Sequence, residues 1–170
     1  TSGTTPSQNT TSGNSNSGGT ASEGDISLSV RYDSNGGSSN SISGTFDITN
    51  NSKSDIDLSS LTINYYITDS NTCSIVFDCY HAAVNGSNGT YTQLGNATAK
   101  IESYSGDNAN ACIVIAPGSG TLTAGGTMTL SFAIHYQGWE TFNSSDDYSA
   151  QSPDKIVLIS GGKVIYGTKP

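Results

Sequence analysis

The side chains best equipped for chemistry crowd into one stretch, His135-Tyr136-Gln137-Gly138-Trp139-Glu140-Thr141-Phe142-Asn143-Ser144-Ser145-Asp146-Asp147-Tyr148-Ser149. It holds the chain's one tryptophan. The indole of Trp139 is a large flat ring with one polar edge, suited to lying against another flat surface. Asn143, Asp146 and Asp147 follow it closely and offer hard oxygen atoms, of which Ca²⁺ collects six to eight. An Asx-rich turn could use the same residues without metal. The adjacent Asp146 and Asp147 would repel each other in such a turn, which favours a structural cation. Catalysis has no comparable support. A glycosidase needs two opposed carboxylates, but Glu23 sits in a low-complexity segment, Glu102 in a strand-like run and Glu140 beside Trp139, so nothing pairs them. There is no Gly-x-Ser-x-Gly, His-Glu-x-x-His or phosphate-binding loop. The chain reads as a binding module and not as an enzyme.

Charge narrows the ligand. With 6 basic and 14 acidic residues and a formal net charge of −8, the chain is unsuited to nucleic acid or to an anionic membrane surface. Arg31 and the five lysines form no basic patch. Only 12% of residues are charged, while Ser, Thr, Asn, Gly and Tyr abound. Such a surface hydrogen-bonds to neutral polar groups, and neutral carbohydrate fits it best.

These residues must be positioned by strands. Residues 1–24 are almost wholly small and polar, cannot offset the entropy of ordering, and read as a flexible linker. Residues 25–170 suffice for a single core. No apolar signal-peptide core and no membrane-length apolar run is present, so the chain reads as one module of a longer exported protein. Ile26, Leu28, Val30 and Tyr32 alternate with polar residues; so do Leu61, Ile63, Tyr65 and Ile67, and Met128, Leu130, Phe132, Ile134 and Tyr136. Shorter candidates span 42–49, 75–79, 97–104, 111–116, 155–160 and 163–167. Gly/Asn turns separate them, such as Ser34-Asn35-Gly36-Gly37, Asn85-Gly86-Ser87-Asn88-Gly89 and Gly161-Gly162, the last predicting a C-terminal hairpin. About nine short strands in one domain predict an all-β, antiparallel two-sheet sandwich or jelly roll. Of the three cysteines, Cys79 lies in an apolar run and reads as a small buried hydrophobe. Cys73 and Cys112 are the expected bridge.

Several runs, in order, resemble the family 3 carbohydrate-binding modules: Asp57-Leu58-Ser59-Ser60-Leu61-Thr62-Ile63-Asn64-Tyr65-Tyr66, His81-Ala82-Ala83, Gly86-Ser87-Asn88-Gly89-Thr90-Tyr91, Gly120-Thr121-Leu122, Trp139-Glu140-Thr141-Phe142-Asn143, Asp147-Tyr148-Ser149 and Gly167-Thr168-Lys169-Pro170. The resemblance covers the chain from about Ile26 to Pro170. It implies a nine-stranded jelly roll that binds crystalline cellulose through a flat strip on one sheet and carries a structural calcium ion. The Asn/Thr-rich linker is similar to those of cellulosome scaffoldins, free cellulases and extracellular sensor modules of membrane anti-sigma factors. The expected host is therefore a secreted or cell-surface bacterial protein.

Matched residue by residue, the resemblance assigns Trp139, His81 and Tyr91 to the strip, with Ser131 as a polar anchor and Asn35 or Asn40 as weaker contacts. The family commonly has an acidic residue just before the strip histidine and an arginine six residues before the strip tryptophan, forming an ion pair. Here those positions are Tyr80 and Ala133. Their joint replacement reads as one concerted change, with Tyr80 adding a fourth ring to a strip that carries no charge pair. For calcium, the resemblance joins Asn143, Asp146 and Asp147 to Thr68-Asp69-Ser70, where the aspartate stands one residue early, so either Asp69 or Ser70 completes the set. The competing reading is a family member that packs on a catalytic domain or acts as a spacer.

Overall fold

Period-two alternation is the dominant local signal, and the backbone follows it almost everywhere. The computed structural model describes residues 20–23, 25–33 and 38–170. The strands, in chain order, are β1 (Thr20–Glu23), β2 (Ile26–Tyr32), β3 (Ser38–Ser39), β4 (Ser41–Asn50), β5 (Ile56–Asp57), β6 (Leu61–Ile67), β7 (Ile75–Asn85), β8 (Tyr91–Gln93), β9 (Thr98–Gly106), β10 (Ala109–Ala116), β11 (Thr121–Leu122), β12 (Thr127–Tyr136), β13 (Phe142–Asn143), β14 (Val157–Ser160) and β15 (Lys163–Tyr166). They form an antiparallel sandwich. One sheet runs β1-β2-β4-β12-β7-β8, the other β15-β14-β6-β10-β9, and two short ribbons pair β11 with β5 and β13 with β3.

All nine expected strands are present. The structure adds β8 at one edge of the six-stranded sheet and β1 at the other, where Thr20–Glu23 pair with β2 inside the stretch expected to be linker. The remaining linker residues, 1–19 and Gly24, lie outside the described residues, as does the turn around Asn35. At the predicted hairpin, Gly161 and Gly162 take φ of 56° and 79°, the conformation a two-residue turn between Ser160 and Lys163 requires.

Alternation sorts side chains into two populations. Leu28, Phe46, Ile48, Met128, Leu130, Phe132 and Ile134 from the six-stranded sheet meet Ile63, Tyr65, Ile67, Ile113, Ile115 and Leu158 from the other in one core. Phe46 and Phe132 stack at 4.3 Å there, and the Tyr32 and Tyr65 hydroxyls hydrogen-bond at 2.9 Å. Among the described residues no helix is long and apolar enough to cross a membrane.

The expected Cys73–Cys112 bridge does not form; all three cysteines are free thiols. The reason is the face each occupies. Cys73 packs at the margin of the main core, whereas Cys112 lies on the far side of the five-stranded sheet with Tyr66 and Val157. Burial, with Glu102 beside it, pushes the Cys112 thiol up to about 12. Cys79 is half-buried against the core, close to the role expected of it.

Candidate functional site

The outward residues of the six-stranded sheet form a grid fixed by strand register. One row reads Ser27, Thr49, Thr127, Asn85, Tyr91; the next Ser29, Asp47, Thr129, Ala83, Gln93; the third Arg31, Thr45, Ser131, His81. Beyond these come Ser43, Ala133 and Asp78, then Ser41, His135 and Val76. Hydroxyls predominate and tie neighbouring strands together: Thr49 to Thr127 at 2.8 Å, Thr45 to Ser131 at 3.0 Å, and Thr129 donating to Asp47 at 2.7 Å. Asp47 also pairs with Arg31.

The rings lie along β7 and its neighbours. Regular alternation would place one outward residue between Cys79 and Ala82, which both pack on the core. Two stand there, Tyr80 and His81, because the register shifts between Ser131 and Phe132 and leaves Tyr80 as the extra residue of a bulge. Both therefore reach the outer face, and Tyr80 is 63% exposed. Tyr91, on edge strand β8 opposite Asn85, is 55% exposed. His81 is half-buried and opposite Ser131, which is engaged with Thr45. Asn40 is exposed on the turn before β4.

Trp139 closes the far end. After β12 ends at Tyr136, the Trp139 amide donates back to the Tyr136 carbonyl at 2.9 Å and the backbone turns sharply, with Trp139 at φ 59°. A bulky residue in this left-handed region is strained by about 1–3 kcal/mol, so the surroundings must hold it. They do so by stacking: the indole lies on the imidazole of His135, centroids 3.6 Å apart and planes within 6°. One face of the ring is covered while Trp139 remains 47% exposed. At about 3.3 Å per residue, the stretch of β7 from Val76, beside His135, to Asn85, beside Tyr91, spans on the order of 25–30 Å.

The strip was expected to carry no charge pair; the same sheet face holds one ion pair away from the rings and one imidazole–carboxylate hydrogen bond beneath Trp139. Asp78 and His135 meet at 3.0 Å beneath Trp139, and Arg31 pairs with Asp47 farther along. Asp78 lies opposite Ala133, and its partner His135 sits one row on. The sequence places Asp78 on a strand, in the run 75–79, but not beside His135, because their proximity depends on the register of β7 against β12. His135 was accessible to sequence reading, since it falls between inward Ile134 and Tyr136.

The oxygen-rich residues gather at another place. Asp147 is wholly buried. Its Oδ1 accepts from the Thr68 amide at 2.7 Å, while Oδ2 is buried without a hydrogen-bond partner. The Thr68 hydroxyl donates to the Asp146 carbonyl at 3.3 Å. Burial, with Asp146 and Asp69 nearby, pushes the Asp147 carboxyl up to about 7, against the pull of the Thr68 amide. An orphaned buried carboxylate oxygen beside a carbonyl and a hydroxyl suits a hard cation. The other expected ligands are turned elsewhere: Asp69 Oδ1 accepts from the Tyr136 hydroxyl at 2.8 Å and the Asn71 amide, and Asn143 Oδ1 accepts from the Ser145 amide and hydroxyl. Ser70 is exposed. Among the described residues no three His, Cys, Asp or Glu side chains converge, so any ion would rest largely on neutral oxygens.

The molecule is an antiparallel sandwich with one bare, ring-bearing sheet face, and comparison with known proteins gives its family. The family profile described as "Cellulose binding domain" matches residues 27–167, and the chain belongs to this family of non-catalytic carbohydrate-binding modules. The chain is 33% identical over 149 residues to the cellulosomal-scaffolding protein A of Acetivibrio thermocellus, which covers 82% of this chain but only 8% of that protein. It likewise spans 19% of scaffolding protein B. Its fold matches the CBM3a-L domain with flanking linkers from a cellulosome scaffoldin of Clostridium thermocellum, with a TM-score of 0.81 and 30% identity over 89% of this chain and 95% of that one. A family IIIA cellulose-binding domain of Clostridium cellulolyticum gives 0.79 and 30%, over 88% and 100%. The architecture is thus that of the family's jelly roll.

Proposed function

We propose that this module binds the flat face of crystalline cellulose through Trp139, Tyr80, His81 and Tyr91, with Ser131 and its neighbouring hydroxyls meeting the sugar hydroxyls. The observation that carries this reading is where the exposed aromatic rings lie. Tyr80, Tyr91 and Trp139 all stand on the outer side of one sheet, along a single strand direction. Exposed rings on a soluble surface are costly unless used, and flat apolar faces edged by hydroxyls are what a glucan chain presents. The module would target a larger extracellular bacterial protein to plant cell-wall polysaccharide, as the modular relatives suggest.

A calcium ion, in the same reading, is structural. Asp147, Thr68 and Asp146 would hold it, and the ion would compensate the charge of a buried carboxylate; Oδ1 of Asn143 is engaged by Ser145, and Oδ1 of Asp69 by Tyr136 and Asn71. The direct test of function is a pull-down on microcrystalline cellulose. Retention of the folded chain, reduced for Trp139→Ala, supports the reading. Folded protein that stays in solution supports the alternative of a spacer or a partner of a catalytic domain.

A further inference from the structure

Below Trp139 lies a side chain that the sugar cannot reach. His135 is 4% exposed, on the outward side of β12, and its ring is the floor on which the indole lies. Its two nitrogens have definite partners: Nδ1 is 2.6 Å from the Tyr136 carbonyl oxygen, and Nε2 is 3.0 Å from Asp78 Oδ2. Both partners are acceptors. A neutral imidazole has one N–H and one lone pair, so either tautomer sets a lone pair against an oxygen lone pair. Only the imidazolium, with two N–H groups, satisfies both. The same cation, stacked on an indole, gains from the negative face of the ring.

We infer that His135, protonated and held by Asp78, is the positioning residue for Trp139, and that it makes binding weaken as the pH rises. This inference rests on the cellulose-binding reading above. The strained backbone at Trp139 makes the mechanism specific, because φ of 59° is maintained by the turn and by this stack. When His135 loses a proton, one of its acceptors faces a lone pair, the ring shifts or Asp78 swings away, and the indole loses its flat support. The sign follows from the hydrogen bonds: the protonated ring satisfies both acceptors and the neutral ring only one, so the support is present at low pH and lost as the ring gives up its proton. The other titratable groups around this corner are few. Glu140 accepts from the Gly138 amide on the Trp139 turn, and Cys73 lies against Glu140. Tyr80 follows Asp78 on β7, and Asp33 donates its amide to the Ser43 carbonyl on β4. The strand neighbours Ser41 and Val76 do not titrate.

The experiment uses the whole chain, microcrystalline cellulose and the emission of its one tryptophan, each from pH 5 to pH 9. Protonated imidazole quenches indole emission, so Trp139 reports His135 directly. Affinity should fall by roughly two- to tenfold across the range, with emission rising at the same midpoint. His135→Phe keeps a flat ring under Trp139 and should remove both steps. Asp78→Asn, at a half-exposed site, should move both to lower pH, and decides the matter if the phenylalanine variant fails to fold. Flat binding from pH 5 to 9, or a step that persists in His135→Phe, overturns the inference and leaves cellulose binding standing. Folded protein with no affinity at any pH instead overturns the cellulose-binding reading itself.

Discussion

The outer faces of the two sheets start from the same strand physics and end differently. On the five-stranded sheet the outward residues Tyr66, Cys112 and Val157 are buried, because the chain covers them. Tyr104 and Tyr148 meet Tyr66 edge-on, with centroids 4.8 Å and 6.3 Å away. The C-terminal residues close over both: the Tyr148 hydroxyl donates to the carbonyls of Thr168 and Lys169, and Tyr104 to that of Pro170. On the six-stranded sheet the outward Ser and Thr residues stay half-exposed and the rings of Tyr80, Tyr91 and Trp139 stand uncovered. Aromatic content does not separate the faces. What separates them is whether the chain supplies its own cover, and the uncovered face is the one a flat ligand can occupy.

The two faces should differ most at Trp139. Trp139→Ala should reduce cellulose affinity by about thirtyfold or more, the effect of losing a central aromatic anchor worth at least about 2 kcal/mol. Its melting temperature should hardly change, since the ring lies outside the core and alanine costs no buried cavity. Binding isotherms and a thermal melt on the same sample check both halves. Unchanged affinity would place the ligand elsewhere.

The second effect concerns Asp147, which serves neither face but fastens the segment between them. Asp147→Ala leaves the Thr68 amide without its acceptor, a loss of about 1–3 kcal/mol. For a domain of this length that is a fall of roughly 2–10 °C in melting temperature. Chelation should lower the melting temperature of the parent and leave the variant unmoved, because an ion bound to the native state raises stability. A parent melt indifferent to chelator would remove calcium from the account. The covered face gives a smaller effect: Tyr148→Phe removes hydrogen bonds to the tail, should cost about 1 kcal/mol in a melt, and should leave cellulose binding unchanged.

Much of this was legible in advance, for identifiable reasons. The alternation of residues such as Leu28, Phe46 and Ile63 shows which sides of the strands meet, so the sandwich and its core follow from period alone. Tyr80 and Trp139 could be singled out as residue types. Their placement rested on the family resemblance and not on period, because a bulge has no composition of its own and the register between β7 and β12 is a tertiary fact. For the same reason the Asp78–His135 pair was invisible, its members being 57 residues apart in the chain. The cysteine bridge failed on a related point: parity of count says nothing about which side of a sheet each thiol occupies. The oxygen cluster was legible as a set of residue types, but the orphan Oδ2 of Asp147 was not, since burial belongs to the packed chain.

Salt should have the smallest effect on binding to the bare face. The bare face carries the Arg31–Asp47 ion pair and the Asp78–His135 hydrogen bond, yet cellulose carries no charge for either to attract. Added salt screens interactions across solvent, with a screening length falling from about 10 Å at 0.1 M to about 3 Å at 1 M. The Asp78–His135 contact is 3.0 Å long and its histidine is buried, so little screening reaches it. The Arg31–Asp47 pair is more open, but it lies away from the rings and its weakening should change affinity little. Affinity measured from 0.05 M to 1 M salt at one pH should therefore vary by less than about twofold. A steep loss with salt would mean that charge on this face meets charge on the ligand. Such a face would suit an acidic polysaccharide better than neutral cellulose, and would recast the exposed rings as partners to charge instead of as the main contact.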